Sequence, residues 1–425
     1  MPIKRIAILS VHTSPLAPMG GKKTGGMNIY LRHLSQELGR VGIEVDIYTR
    51  RVASDQPDVD YGLGDRVRVI NVNAGPPVVL DPNAVYTHVS QFAAGVIAFN
   101  TREGGPKYDL VYSHYWLSGW VANKLNEVWG TPFVQMFHTL GHMKNRIKPG
   151  TPMMLPDVRI KTETQVVQWA NRIIAATPAE QAQLLWLYRA DRRKIDIVPP
   201  GVDPEQFHPM AVDEAQRILK LDPDSNLLLF VGRIERLKAI DTILHAVKLL
   251  RHDSQLPLGN TRFAIIGGDP KDLADSEIQR LVRLAKSLGI DDIVDFLGAK
   301  DHDMLRVYYS AASAVIVPSD YESFGMVALE AMASGTPVIA SNVGGLAFLV
   351  EDQETGLLMP VRDPEALADS INVVLSQPEK RKLLGKNAAE LAEQYAWSRI
   401  VDRLLPIFEE VANQRMPVAV SRRRR

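Results

Sequence analysis

Two doubly wound α/β domains, each a parallel sheet with helices on both faces, are the fold that this 425-residue sequence predicts. Three observations predict it. Short apolar runs of strand length alternate with amphipathic helical stretches along the whole chain. The length is too great for one ordinary core and suits two domains of roughly 200 residues each. At Pro199-Pro200-Gly201-Val202-Asp203 a strand run ends in residues that let neither helix nor ladder continue.

In chain order, the first domain (residues 1–200) is expected to hold strands at Ile6–Ser10, Val45–Tyr48, Val67–Val72, Leu110–Ser113, Phe133–Phe137, Ile173–Ala176 and Ile195–Val198. Most are apolar nearly throughout, as strands buried on both faces must be. Lys4-Arg5 before the first run mimics a signal peptide, but about five apolar residues running into His12-Thr-Ser-Pro are too few for one, and a strand is expected instead. The second domain (201–395) offers Leu227–Val231, Phe263–Ile266, Ile293–Leu297, Ala314–Val317 and Val338–Ala340. Residues 396–425 add a helical pattern at Trp397–Val411 and a basic tip, Ser421-Arg-Arg-Arg-Arg425, read as a tail.

Composition narrows the function. Hydrophobic residues make up 46% and charged residues 23%, the balance of a globular enzyme. Forty-nine basic residues meet 49 acidic ones, so no global field recruits nucleic acid, and any anion site must be local. The absence of cysteine excludes disulfides, thiolate metal sites and a cysteine nucleophile, and fits a cytoplasmic location. No apolar run reaches the ~18 residues that span a bilayer, so membrane insertion is not expected. Monomer and homodimer both stay open.

Ligands of open α/β sheets bind at the carboxyl ends of strands, so the loops there carry the information. The most informative is Asp320-Tyr-Glu-Ser-Phe-Gly-Met-Val-Ala-Leu-Glu330, between two strand runs. Glu322 falls in the loop and Glu330 about two turns into the following helix, while Ser323, Phe324 and Gly325 lie at the helix N-terminus, a place for anionic or hydroxyl-rich ligands. After Leu227–Val231 come Gly232 and Arg233, with Lys238 opening the next helix; a planar fork and a point charge suit two phosphates. In the first domain, Met19-Gly-Gly-Lys-Lys-Thr-Gly25-Gly26-Met-Asn28 precedes a helix, and the glycines allow close approach to a phosphate. His114-Tyr115 and His138-Thr139, with His142 and Lys144 beyond, follow two further strands. Taken singly, each of these is also what a solvated loop or helix end looks like.

Together, Gly25-Gly26, His138, Gly232-Arg233 with Lys238, and Glu322 to Glu330 resemble the retaining glycosyltransferases of family 4 over nearly the whole chain. The resemblance implies the GT-B fold, two Rossmann-like domains facing each other across a cleft, with the final helix crossing back to the first. Within the family, Gly25-Gly-Met-Asn28, Ser113-His-Tyr-Trp-Leu-Ser-Gly119 and Phe137-His-Thr-Leu140 resemble the branch that glycosylates inositol phosphate, related to the sucrose-phosphate synthases. The implied reaction moves a hexosyl unit from a UDP-sugar, UDP-GlcNAc or UDP-glucose, to a small phosphorylated polyol or sugar. Inositol phosphate is the first expectation and fructose 6-phosphate the alternative.

By the same resemblance, Glu330 holds the ribose hydroxyls, Glu322 with Phe324-Gly325 the sugar hydroxyls, and His138 faces the sugar from the first domain. Asn28, Tyr115, Thr139 and Arg159 are expected on the acceptor, with Lys144 close by in sequence. A lysine that the family branch carries would fall in Gly75–Asn83, near Pro82, and none is there. Retention is expected by front-face attack, with domain closure excluding water. Arg233, Lys238 and the helix N-terminus would stabilise the leaving diphosphate, so no cofactor is obligatory, and Mg²⁺ is permitted without being required. Three other readings fit less well: a phosphorylase needs a pyridoxal lysine, a dehydrogenase needs a different glycine fingerprint, and a sugar-nucleotide epimerase shares only the architecture. A non-catalytic sugar-nucleotide-binding protein would carry the same residues.

Overall fold

A computed structural model describes residues 2–17, 25–105, 108–146, 158–252, 259–272 and 274–414. The Gly20–Thr24 part of the glycine loop and the Ser421–Arg425 tip lie outside them.

The chain forms two compact units. The first comprises the chain up to Ala17, Met27–Pro199 and the segment from Trp397 onward; the second is Pro200–Ala396, with which Gly25 and Gly26 group. The strands of the first are β1 (Arg5–Ser10), β2 (Glu44–Arg50), β3 (Val59–Asp60), β4 (Val67–Val72), β5 (Leu110–His114), β6 (Phe133–Met136), β7 (Arg172–Ala175) and β8 (Ile195–Ile197). They stand in the order β3-β4-β2-β1-β5-β6-β7-β8, all parallel except the antiparallel edge pair β3–β4. Ile6, Ala7, Ile8 and Leu9 are fully buried along β1, as covering of both sheet faces requires.

The second unit holds β9 (Asn226–Val231), β10 (Thr261–Ile266), β11 (Val294–Gly298), β12 (Ala314–Val317), β13 (Val338–Ser341) and β14 (Gly356–Met359), in the order β11-β10-β9-β12-β13-β14 and parallel throughout. In both sheets the first strand of the unit lies beside its neighbour in sequence on one side and beside a later strand on the other. The winding therefore reverses between β1 and β5, and between β9 and β12, and at such a reversal a crevice opens at the carboxyl ends. In the second sheet β9 and β12 pair only at Ala314↔Leu228 and Val315↔Leu229, although β9 continues to Val231 and β12 to Val317.

Two strands escape the sequence reading, β3 and β14. The first is two residues long, and Gly-Leu-Leu-Met in the second lacks the β-branched residues that mark a strand. The helix at Trp397–Ala412 buries Trp397, Ile400, Val401, Leu404, Phe408 and Val411, one helical stripe. Trp397 meets Tyr30 edge-on at 5.2 Å, Phe408 meets Tyr112 at 5.0 Å, and Arg403 donates to the Ile197 carbonyl at 3.1 Å, all within the first unit. Among the described residues no helix is long and apolar enough to cross a membrane.

Candidate active site

In the second unit the loops after β9 and β12 flank the winding reversal and are tied together. The Asp320 N–H donates to the Leu237 carbonyl at 2.9 Å, and Lys238 Nζ lies 2.5 Å from Glu322 Oε2, both side chains mostly buried. Lys238 does not open the following helix, as its spacing suggested. It ends a 3-10 turn, Arg236–Lys238; Ala239 then adopts a left-handed φ of 47°, and the α-helix starts at Ile240. The turn swings the ammonium toward the neighbouring loop. Arg233 is half exposed and its guanidinium sits 2.7 Å from Glu235.

The helix Met326–Ala333 begins at Gly325, whose φ of 107° suits glycine, and no side chain caps it. Ser323 is half-buried and Phe324 buried. Glu330 is one turn into this helix, not two, because the loop runs to Gly325 before the helix begins. It is buried, accepts from Tyr309 Oη at 2.9 Å, and lies 3.5 Å from His302 Nε2, whose other nitrogen is 2.9 Å from Gln206. A further glycine pair, Gly344-Gly345, went unread in the sequence. The Gly345 N–H donates to the Glu322 carbonyl at 2.9 Å, and a Cβ on Gly345 would stand 2.2 Å from Phe324 Cα. A Cβ built on Gly25 would lie 3.9 Å from Arg233 Nε.

In the first unit the reversal lies between β1 and β5, and most of the expected acceptor residues gather there. His12 follows β1 and its ring centroid is 4.4 Å from that of Tyr115, the residue after β5. Arg159 places its guanidinium carbon 4.9 Å from the Tyr115 ring and donates to both the carbonyl (2.6 Å) and hydroxyl (3.1 Å) oxygens of Thr139. Asn28 donates to Thr13 Oγ1 at 2.6 Å and to the Ser14 carbonyl at 2.7 Å, fixing the loop that carries His12. Lys144 is exposed on the short helix Gly141–Arg146. Burial, with Arg159 and Lys144 nearby, pushes His12 down to about 3, so it is neutral beside two cations.

Arg159, expected on the acceptor, is also tied into the fold. Its Nε donates to Glu163 at 2.7 Å, and Glu163, fully buried, also accepts from the Gly141 N–H at 2.9 Å and from Tyr188 Oη. The i to i+4 spacing on helix Val158–Trp169 was the signal for this pair. The lysine-free loop after β4 is held by buried Arg50, which donates to the carbonyls of Pro76 (2.8 Å) and Val78 (2.5 Å). Tyr115 and His138 both hold left-handed backbone, φ 74° and 61°, a strain that non-glycine residues keep where the surroundings impose it, often at functional sites. His138 Nε2 lies 2.9 Å from His114 Nδ1.

Comparison with known proteins matches the two halves separately. Residues 24–206 match the model for Glycosyltransferase Family 4, and residues 211–391 that for Glycosyl transferases group 1. A D-inositol 3-phosphate glycosyltransferase of Saccharomonospora viridis is 40% identical over 96% of this chain and 94% of its own. Its counterpart in Mycolicibacterium smegmatis is 42% identical over 95% and 90%. Among solved structures, sucrose-phosphate synthase from Thermosynechococcus elongatus superposes with a TM-score of 0.87 at 34% identity, covering 97% of this chain and all of its own. Anabaena HepE, solved with UDP and glucose, has a TM-score of 0.71 at 18% identity over 96% of this chain and 100% of its own, a likeness of fold.

Proposed function

The chain belongs to the glycosyltransferases that join a family 4 domain to a group 1 domain, and on that premise we propose that it transfers a hexosyl unit from a UDP-sugar to inositol phosphate with retention of configuration. The observation that carries the donor half is the Lys238–Glu322 pair between the loops flanking the reversal, with Arg233 on the same β9 loop. Departure of the diphosphate builds charge on its bridging oxygen, and two cations and an uncapped helix N-terminus are the donors that stabilise such charge. Glu330 takes the ribose hydroxyls. Glu322, Ser323, Phe324 and Gly325 take those of the transferred sugar, and His138 contacts the same sugar. Gly25 and Gly26 lie along the phosphates. The acceptor hydroxyl loses its proton to the leaving phosphate on the face it attacks, and no divalent ion is required.

Tyr115, Thr139 and Arg159 gather at the reversal of the first sheet, which supports a small phosphorylated acceptor there. Arg159 stays paired with Glu163 and lends its positive charge, with Lys144 adding to it and Asn28 shaping the β1 loop. The lysine-free loop Gly75–Asn83 favours a second reading, transfer to fructose 6-phosphate. One experiment separates them: UDP release from UDP-GlcNAc and UDP-glucose is followed with inositol phosphate and with fructose 6-phosphate, with and without EDTA. Turnover on inositol phosphate, undiminished by chelator and giving an α-linked product by anomeric NMR coupling, is expected. An inverted product, or no turnover on a phosphorylated acceptor, would sink the reading.

Gly345→Ala tests the loop itself. Its Cβ meets backbone, which cannot swing away as a side chain does, so the 322–325 loop must shift at a cost of about 1–3 kcal/mol. The KM for the UDP-sugar is expected to rise about tenfold or more; an unchanged KM would show that this loop does not hold the donor.

A further inference from the structure

Resting on the assignment of His138 to the transferred sugar, we infer that His114 is a positioning residue: its Nδ1–H donates to His138 Nε2 and so leaves the proton of His138 on Nδ1. His138 then offers the sugar a hydrogen-bond donor, not a base.

Both imidazoles are neutral. Burial and the nearby His12 push His138 down to about 3, and burial with His138 holds His114 well below the usual histidine range. A 2.9 Å contact between two neutral rings admits two arrangements. In one, His138 Nε2–H donates and His114 must carry its own proton on Nε2. In the other, His114 Nδ1–H donates and Nε2 of His114 is a bare lone pair. His114 is fully buried, and among the described residues its Nε2 has no hydrogen-bond partner. A buried N–H without an acceptor is rarer and costlier than a lone pair without a donor, so the second arrangement wins.

The rings around the pair cannot reverse this. Tyr112 lies 4.2 Å and Tyr30 5.5 Å from the His114 ring, but their hydroxyl hydrogens are used elsewhere: the two phenols share one hydrogen bond at 2.9 Å, and Tyr112 Oη donates to Met136 Sδ at 3.6 Å. Tyr30 meets His138 edge-on at 5.2 Å. His114 closes β5 in register with Met136 of β6, two residues before His138, so the sheet sets the contact.

The test reads ring protons directly, on the full chain labelled with ¹⁵N histidine and without substrate. Two-bond ¹H–¹⁵N spectra, with His138 assigned by its loss in His138→Gln, are expected to show Nδ1–H at His138. His114→Asn, which keeps an N–H near the Nδ1 position, should hold that tautomer and kcat within about threefold. His114→Leu should release His138 to Nε2–H and lower kcat about tenfold, the scale of one oriented hydrogen bond, with little change in acceptor KM. Nε2–H at His138 in the unaltered protein overturns the inference even if the leucine variant fails to fold. So does an unchanged tautomer in His114→Leu, or a flipped one in His114→Asn. Absence of transfer to any phosphorylated acceptor would instead remove the proposed function, and the tautomer would still be read.

Discussion

Replacing Lys238 by alanine is expected to lower kcat by about 10²–10³, the scale for removing one preorganised transition-state donor. Two effects add. The cation proposed to meet the departing diphosphate is gone, and Glu322, which lies 2.5 Å from that cation, loses the partner that fixes its rotamer. Lys238→Arg should recover only part of the rate, because a planar fork does not reproduce an ammonium placed by a 3-10 turn. Steady-state UDP release with both variants measures this. A Lys238→Ala enzyme within threefold of the parent would take Lys238 out of the chemistry.

The largest effect on stability is expected at Glu163→Ala. The carboxylate is fully buried and satisfies the Arg159 guanidinium, the Gly141 N–H and the Tyr188 hydroxyl. Its loss strands a buried cation, which costs about 3–5 kcal/mol. For a unit of this size that corresponds to a fall in Tm of roughly 10 °C. Thermal unfolding followed by circular dichroism reads it. Removing both charges, as Arg159→Met with Glu163→Leu, should restore most of the stability, since no lone charge remains buried. A single variant that unfolds within about 2 °C of the parent would show that water already reaches this pair.

Central strands were legible because burial on both faces leaves a run such as Ile6-Ala-Ile-Leu no room for polar residues. The edges were not. β3 and β14 each pair on one side only and carry little of that pattern. Strand order was also out of reach, since the crossover that puts β12 beside β9 depends on how helices pack, not on any local motif. Glu330 and Lys238 were legible as residues but misjudged in place, by a loop residue or two at each helix start. Arg159 shows another limit: its pairing is written in the i to i+4 spacing with Glu163, but the same spacing is common on exposed helices and does not mark a buried pair. His114 was legible at its strand end but its contact with His138 was not, and His12 carried no mark at all, because a histidine at a strand end carries no sign of which ring it will face.

The first unit is discontinuous in sequence, with Pro200–Ala396 set between Pro199 and Trp397. A ribosome therefore finishes the entire second sheet before it delivers the helix that covers Tyr30 and Tyr112. Until then the nascent first unit bears a greasy, aromatic flank open to water and to chaperones, and the second unit, earlier in sequence than that helix, is the one that can mature first. Proofreading of the first unit is thus deferred until the second unit has been made, when Trp397, Leu404 and Phe408 seal it.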